Sequence, residues 1–205
     1  MCGRVRLASD YSKIKIRLKF DAAAPAPNFA PDYNKPPTRP ILTAVRDEAG
    51  RRVPKMTKWG LIPSWARDER MVYSTFNARS EEFTSKVSFK DAWRQGQRCL
   101  VVTDGFYEWQ KLDPKGKNKQ PYAIAMAAGG NMIMAGLWSR WFNPVAKEEI
   151  VSCTIMTTSS NEAMKPLHNR MPVILDDADW PACWEKRLHR QMICCRCCDP
   201  VLTNG

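Results

Sequence analysis

The chain has 205 residues, 44% of them hydrophobic and eight of them Trp, which is enough for one folded domain with a buried core and excludes a largely disordered polymer. A total of 32 Lys and Arg against 21 Asp and Glu leaves a formal charge of +11, which points to a polyanionic partner held through neutralised phosphates, nucleic acid first among them. No run approaches the ~18 consecutive apolar residues of a membrane span, and the start Met1-Cys2-Gly3-Arg4 lacks the apolar stretch of a secretory signal, so an intracellular protein with reduced cysteines is expected.

In chain order, Asp10 stands where a helix N-cap would, ahead of Ile14, Ile16 and Leu18. That spacing also alternates like a strand, so helix and strand both stay open there. Residues 22–40, rich in Pro, Ala and Asn, oppose helix and central strand and read as an ordered surface loop. A strand is expected over 41–46. A second loop runs from Trp59 through Pro63 and Trp65 to Asn77 and carries aromatic residues outside any period, a composition common in binding loops. The pattern over 81–94 predicts a helix. Beyond it, short β-branched or aromatic runs predict strands over 99–103, 106–110, 122–126, 132–138, 150–157 and 173–175. The turns Asp113-Pro114-Lys115-Gly116 and Gly129-Gly130-Asn131 are expected to join their neighbours as hairpins. The fold class that follows is α+β and β-rich, with a largely antiparallel, barrel-like sheet and a few flanking helices. Neither repeats nor an interdomain linker interrupt it.

Four segments carry side chains suited to chemistry. Cys2 becomes the first residue once Met1 is removed, and an N-terminal Cys holds two nucleophiles, an amine of pKa about 7.7–8.0 and a thiol of about 8.5. Toward an aldehyde the amine gives a Schiff base and the thiol then closes a five-membered ring, which a Cys inside the chain cannot do. Equally, Cys2 is a small residue that suits position two. In Asn77-Ala78-Arg79-Ser80-Glu81, Arg79 can hold a phosphate through its fork and Asn77 offers a neutral donor and acceptor, or the segment is a helix start with a surface Arg. In Asp104-Gly105-Phe106-Tyr107-Glu108-Trp109, strand alternation puts Glu108 on the face of Phe106, where partial desolvation suits a general acid or base; the alternative is an exposed strand Glu. His168, one of two histidines, lies between Pro166 and Pro172 on a rigid loop, as a titrating imidazole or as a hydrogen-bonded structural residue. His189, in a basic stretch, reads as surface.

Together these segments resemble the SRAP domain, the SOS-response-associated peptidase family, whose members process abasic sites in DNA. The landmarks are Met1-Cys2-Gly3-Arg4, Tyr33-Asn34 with Pro36-Pro37-Thr38, the Trp59 to Trp65 run, the Asn77 to Glu81 run, Arg98-Cys99-Leu100 leading to Gly105-Phe106-Tyr107-Glu108-Trp109, Ala135-Gly136-Leu137-Trp138, and His168-Asn169-Arg170-Met171-Pro172. The resemblance implies that Cys2 is the processed nucleophile, that Asn77 positions the crosslink, that Glu108 is the acid/base carboxylate and that His168 assists sugar-ring opening. It further implies DNA contacts from Arg4, Asn34 and Arg79, and stacking on bases by Trp65. The expected activity is capture of abasic sites in single-stranded DNA as a thiazolidine crosslink, with self-removal of Met1 and a lyase-type activity.

At the other end the chain departs from the family's usual strand and Asn-rich closing segment. A domain over 1–190 is expected to give way to a divergent tail, 191–205, in which Cys194-Cys195-Arg196-Cys197-Cys198 lacks the separated CxxC arms of a zinc site and reads as reduced or lipid-modifiable. No cofactor, metal or membrane is expected. The partners are single-stranded DNA with abasic sites and replication-fork proteins, for a monomer that is nuclear in a eukaryote or cytoplasmic in a bacterium. Two other readings remain: an N-terminal nucleophile amidohydrolase, since such enzymes also begin Met-Cys-Gly, and a non-covalent basic module for single-stranded DNA. A general peptidase is disfavoured, because neither G-x-S-x-G nor H-E-x-x-H occurs.

Overall fold

The computed structural model describes residues 2–184 and the backbone of 200–204. The first turn of chain settles the ambiguous segment. Asp10 accepts from the Ser12 amide at 2.7 Å, and the helix α1 (Tyr11–Leu18) follows, closed by Lys19 in the left-handed conformation. Ile14 and Leu18, one turn apart, are buried, whereas Ile16 is 77% exposed, so helical spacing rather than alternation decides which side chains pack.

Strands β3 (Pro40–Arg46), β4 (Arg52–Trp59), β6 (Arg98–Thr103), β9 (Met132–Asn143) and β10 (Glu148–Ser159) form a closed five-stranded barrel. Its pairings run β10 to β4, β4 to β3, β3 to β6, β6 to β9 and β9 back to β10, with only the β10–β4 contact parallel. Two short strands, β5 (Asn77–Arg79) and β11 (Arg170–Pro172), attach to the far end of β10. A second, five-stranded antiparallel sheet has the order β12 (Pro200–Asn204), β8 (Lys119–Met126), β7 (Gly105–Lys111), β1 (Val5–Leu7), β2 (Asp32–Lys35). Alternate barrel residues sort into two cores. Leu42, Leu100, Ile133 and Leu137 pack with α1, α2 (Val87–Arg94) and α3 (Trp180–Trp184), while Ile41, Val101, Met134 and Ile155 pack with Val5, Phe106 and Ile124 of the second sheet.

The expected α+β, barrel-like class holds, with several local corrections. The loop over 22–40 contains β2. β4 escaped the sequence reading because its middle, Pro54 to Met56, is only half-buried and does not alternate cleanly. The helix expected over 81–94 begins only at Val87. The preceding residues coil in turns around Phe83, which is buried against the Trp93 ring at 4.7 Å, and Lys86 is extended. The strand expected over 173–175 lies earlier, at β11, with a single bridge between Ile174 and Met134. Gly129-Gly130-Asn131 is a turn but not a hairpin, because it carries the chain from the second sheet into the barrel. His189 and the Cys194 to Cys198 run lie outside the described residues, although Pro200–Asn204 of the tail pairs with β8.

One carboxylate ties the crossings between the two sheets. Asp104, between β6 and β7, accepts from the Ala8 and Ser9 amides at 2.7 and 2.9 Å, from Ser9 Oγ at 2.6 Å and from Asn131 Nδ2 at 2.6 Å. It thereby joins the end of β1 to both points where the chain changes sheet. Asp104→Ala is expected to destabilise the fold by about 3 kcal/mol, because several partly buried donors lose a charged acceptor together; urea unfolding measures it.

Candidate active site

β1 brings the chain's first residues alongside β7. Val5 pairs with Phe106 and the Tyr107 amide donates to the Arg4 carbonyl at 2.9 Å, so the residues before Val5 continue toward Glu108. Cys2 is fully buried, its Sγ 3.9 Å from the Arg4 carbonyl oxygen. Across from it Asn77, on β5, donates from Nδ2 to the Cys2 carbonyl at 2.8 Å. Asn77 Oδ1 is buried without a hydrogen-bond partner, an open acceptor at the same corner.

Glu108 is 5% exposed, on the apolar face expected from Phe106, and accepts weakly from the Trp109 amide at 3.3 Å. Burial drives the Cys2 thiol far above its ordinary pKa, and the nearby negative charge of Glu108 pushes in the same direction. His168 lies on the loop before β11, partly buried, with Nδ1 accepting from the Arg170 amide at 3.0 Å. Burial holds its pKa below the ordinary value, reinforced by the positive amino terminus and opposed by Glu108. Since Nδ1 is an acceptor, the neutral ring carries its proton on Nε2. The structure therefore brings Cys2, Asn77, Glu108 and His168 into one cluster.

The residues expected to contact DNA are placed less uniformly. Arg4 donates from Nη1 to Asn34 Oδ1 at 3.3 Å, joining β1 to an exposed position on β2. Arg79 and Asn77 line an open groove of about 590 Å³ shared with Ser74, Glu82, Lys86 and Phe89. There Glu82 pairs with Arg79 at 3.2 Å and with Lys86 at 3.0 Å. Trp65 is 47% exposed on the loop after β4 and makes no hydrogen bond or ring contact with the other seven residues.

Two features lay outside the sequence reading. Lys86 enters the groove because the 81–86 segment coils instead of continuing α2; the spacing of Glu82 and Lys86 was the available signal. Arg170 forms a two-bonded pair with Glu81, at 2.8 and 2.9 Å, between segments 89 residues apart.

A two-sheet β fold that buries the second residue, Cys2, beside an amide and a carboxylate, with an imidazole on a neighbouring loop, is the arrangement the structure shows. The chain belongs to the SOS response associated peptidase (SRAP) family, whose model matches residues 1–195. It is 40% identical over 177 residues to the abasic site processing protein YoqW of Bacillus subtilis, covering 86% of this chain and 77% of that one. Against the abasic site processing protein HMCES of Xenopus tropicalis it is 35% identical over 175 residues, 72% of this chain and 51% of that one. A crystal structure of a Bacteroides thetaiotaomicron protein shares the fold, with a TM-score of 0.78 at 24% identity over 94% of this chain and 84% of that one. A Bordetella bronchiseptica protein gives 0.73 at 26%, over 91% and 88%.

In the chain that retains Met1, the described cysteines Cys2, Cys99, Cys153 and Cys183 are all buried, and burial raises the pKa of each. None of the four is expected to label with iodoacetamide in the folded protein at pH 7 within the time a peptide thiol reacts, as peptide mass mapping would show.

Proposed function

We propose that this protein captures abasic sites in single-stranded DNA by a covalent crosslink to Cys2. The observation that carries the reading is the convergence of Asn77, Glu108 and His168 on the residue that becomes the amino terminus when Met1 leaves. The relatives' names, abasic site processing proteins, support abasic sites as the lesion acted on. With Met1 attached, the Cys2 nitrogen is an amide and cannot act; removing Met1, which the same groups would perform, creates the 1,2-aminothiol.

An abasic deoxyribose is mostly a closed hemiacetal. Glu108 takes the proton from its C1′ hydroxyl and returns one to the ring oxygen, so that the ring opens to the aldehyde with no net proton change. His168, neutral with its proton on Nε2, steadies the oxygen on which charge develops. The Cys2 amine forms the N–C1′ bond and one water leaves, giving the Schiff base. The thiol then forms the S–C1′ bond while its proton passes to the imine nitrogen, closing the thiazolidine. Asn77 holds the Cys2 carbonyl through both steps, and its Oδ1 offers the amine an acceptor. A lyase-type side reaction follows from the same Schiff base when a base removes a C2′ proton, the C2′–C3′ double bond forms and the C3′–O bond breaks with the 3′ phosphate as leaving group. Arg4, Asn34, Arg79 and Lys86 would track the phosphates, with Trp65 stacking on a base.

Incubation with a uracil-containing oligonucleotide and uracil glycosylase should yield a band that survives denaturation, absent for Cys2→Ala, with an intact mass lacking Met1. Salt-sensitive binding without such a band would identify a non-covalent module instead, and ammonia release from glutamine an amidohydrolase.

The pH dependence separates His168 from the amine. Its pKa lies below the usual histidine value of about 6.5. Protonation at Nδ1 would set two donors against each other and break the Arg170 contact. The ratio of wild-type to His168→Ala crosslinking rates should therefore be flat above about pH 6.5 and fall only below it.

A further inference from the structure

Glu81 follows Asn77 by four residues and Arg170 follows His168 by two, so both belong to the segments that hold those side chains. β5 and β11 both pair with β10: Thr157 is paired with Arg79 on one side and with Pro172 on the other. From β11 the Arg170 side chain reaches across β10, donating from Nη2 to the Thr157 carbonyl at 2.7 Å, and grips both oxygens of Glu81 just beyond β5. The Arg170 side chain is only 12% exposed, against 47% for Glu81. An exposed ion pair adds little stability, but a planar fork bonded to two carboxylate oxygens and a carbonyl admits one orientation. The backbone amide of that same residue donates to His168 Nδ1.

We infer that Glu81, acting through Arg170, is a positioning residue that fixes the tautomer and direction of the His168 imidazole. Glu81 clamps the guanidinium across β10, the clamp sets the Arg170 backbone, and its amide occupies Nδ1. The proton is left on Nε2. Any residue with helix or turn preference could follow Ser80 if only the chain path mattered; a carboxylate is required if the fork must be held at both oxygens. The inference rests on the crosslinking role proposed for His168, but its first measurement does not.

That measurement is the ¹⁵N shifts of the imidazole at a pH above its titration, with the signal separated from His189 by comparison with His168→Ala. Wild type should show one tautomer, protonated at Nε2, and Glu81→Gln a mixture. The second is single-turnover crosslinking at saturating abasic oligonucleotide. Glu81→Gln should be slower by about tenfold, the scale of a modest misplacement of a reacting group, with unchanged affinity for an oligonucleotide carrying a tetrahydrofuran site that cannot form an aldehyde. Arg170→Lys, which keeps the charge and loses the fork, should be slowed like Glu81→Gln. In a His168→Ala background, adding Glu81→Gln should cost nothing more, because the group it positions is gone. An unchanged tautomer in Glu81→Gln overturns the inference, and so does a rate loss that persists undiminished without His168. Should wild type form no adduct at all, the proposed reaction fails, while the tautomer result still decides the positioning role.

Discussion

The site depends on where Asp104 sits. The barrel and the second sheet are built from interleaved stretches of chain, which leaves β6 for β7 at Asp104 and leaves β8 for β9 at Asn131. Both crossings and the end of β1 converge on the Asp104 carboxylate, whose oxygens replace water for four donors. Gly105 makes the turn possible. Its φ is +152°, and a Cβ there would stand 2.2 Å from the Ile124 carbonyl oxygen. The Asp-Gly pair thus fixes β1 against β7, and that register puts Cys2 and Glu108 in one corner. A shift by one residue would turn Glu108 to the opposite face of its strand and separate acid from nucleophile.

Burial of that corner orders the chemistry. Water is excluded from Cys2 and the carboxylate of Glu108 lies near, so the thiol is held far from ionisation. In the proposed reaction this disfavours attack led by the thiolate. The amine freed by loss of Met1, for which Asn77 Oδ1 is the proposed acceptor, is there the group suited to attack first. The thiol follows when the imine nitrogen is ready to take its proton. The order of bond formation in the proposed crosslink is therefore a consequence of desolvation as well as of the reactivity of aldehydes.

Much of this was legible in the residues, and the failures have identifiable causes. β6 and the central stretches of β9 and β10 announced themselves because both faces are buried and the runs are β-branched or apolar, and β7 and β8 through their aromatic runs. β4 did not, because half of it faces partly open surroundings and Pro54 interrupts it. The Gly129-Gly130 turn was visible as a turn, but sequence carries no mark of which sheet the following strand joins; that is decided by Asn131 reaching an acid 27 residues earlier. Glu108 could be placed beside Phe106 by alternation alone. The nearness of Cys2, Asn77 and His168 could not be derived locally, since the bond from Asn77 to Cys2 spans 75 residues; the family resemblance supplied the grouping that periodicity could not. The tie from Glu81 to Arg170 escaped for the same reason, and because its members looked like ordinary surface charges.

Those paired charges also qualify the initial reading of the net charge. An excess of +11 suggests an open basic surface, yet three of the cations around the groove and the His168 loop already have acidic partners: Arg79 and Lys86 share Glu82, and Arg170 holds Glu81. The two kinds of pair are not equivalent. Glu82 and its cations are half exposed, where an ion pair is worth at most about 1 kcal/mol, so a phosphate entering the groove can take the carboxylate's place at small cost. The Arg170 pair is mostly shielded on the guanidinium side and anchored to backbone as well, so replacing its partner would disturb the chain that carries His168. Of the two arginines, Arg79 has the ion pair that is cheaper to exchange for a phosphate under the proposed function, and Arg170 the one that is costlier to break.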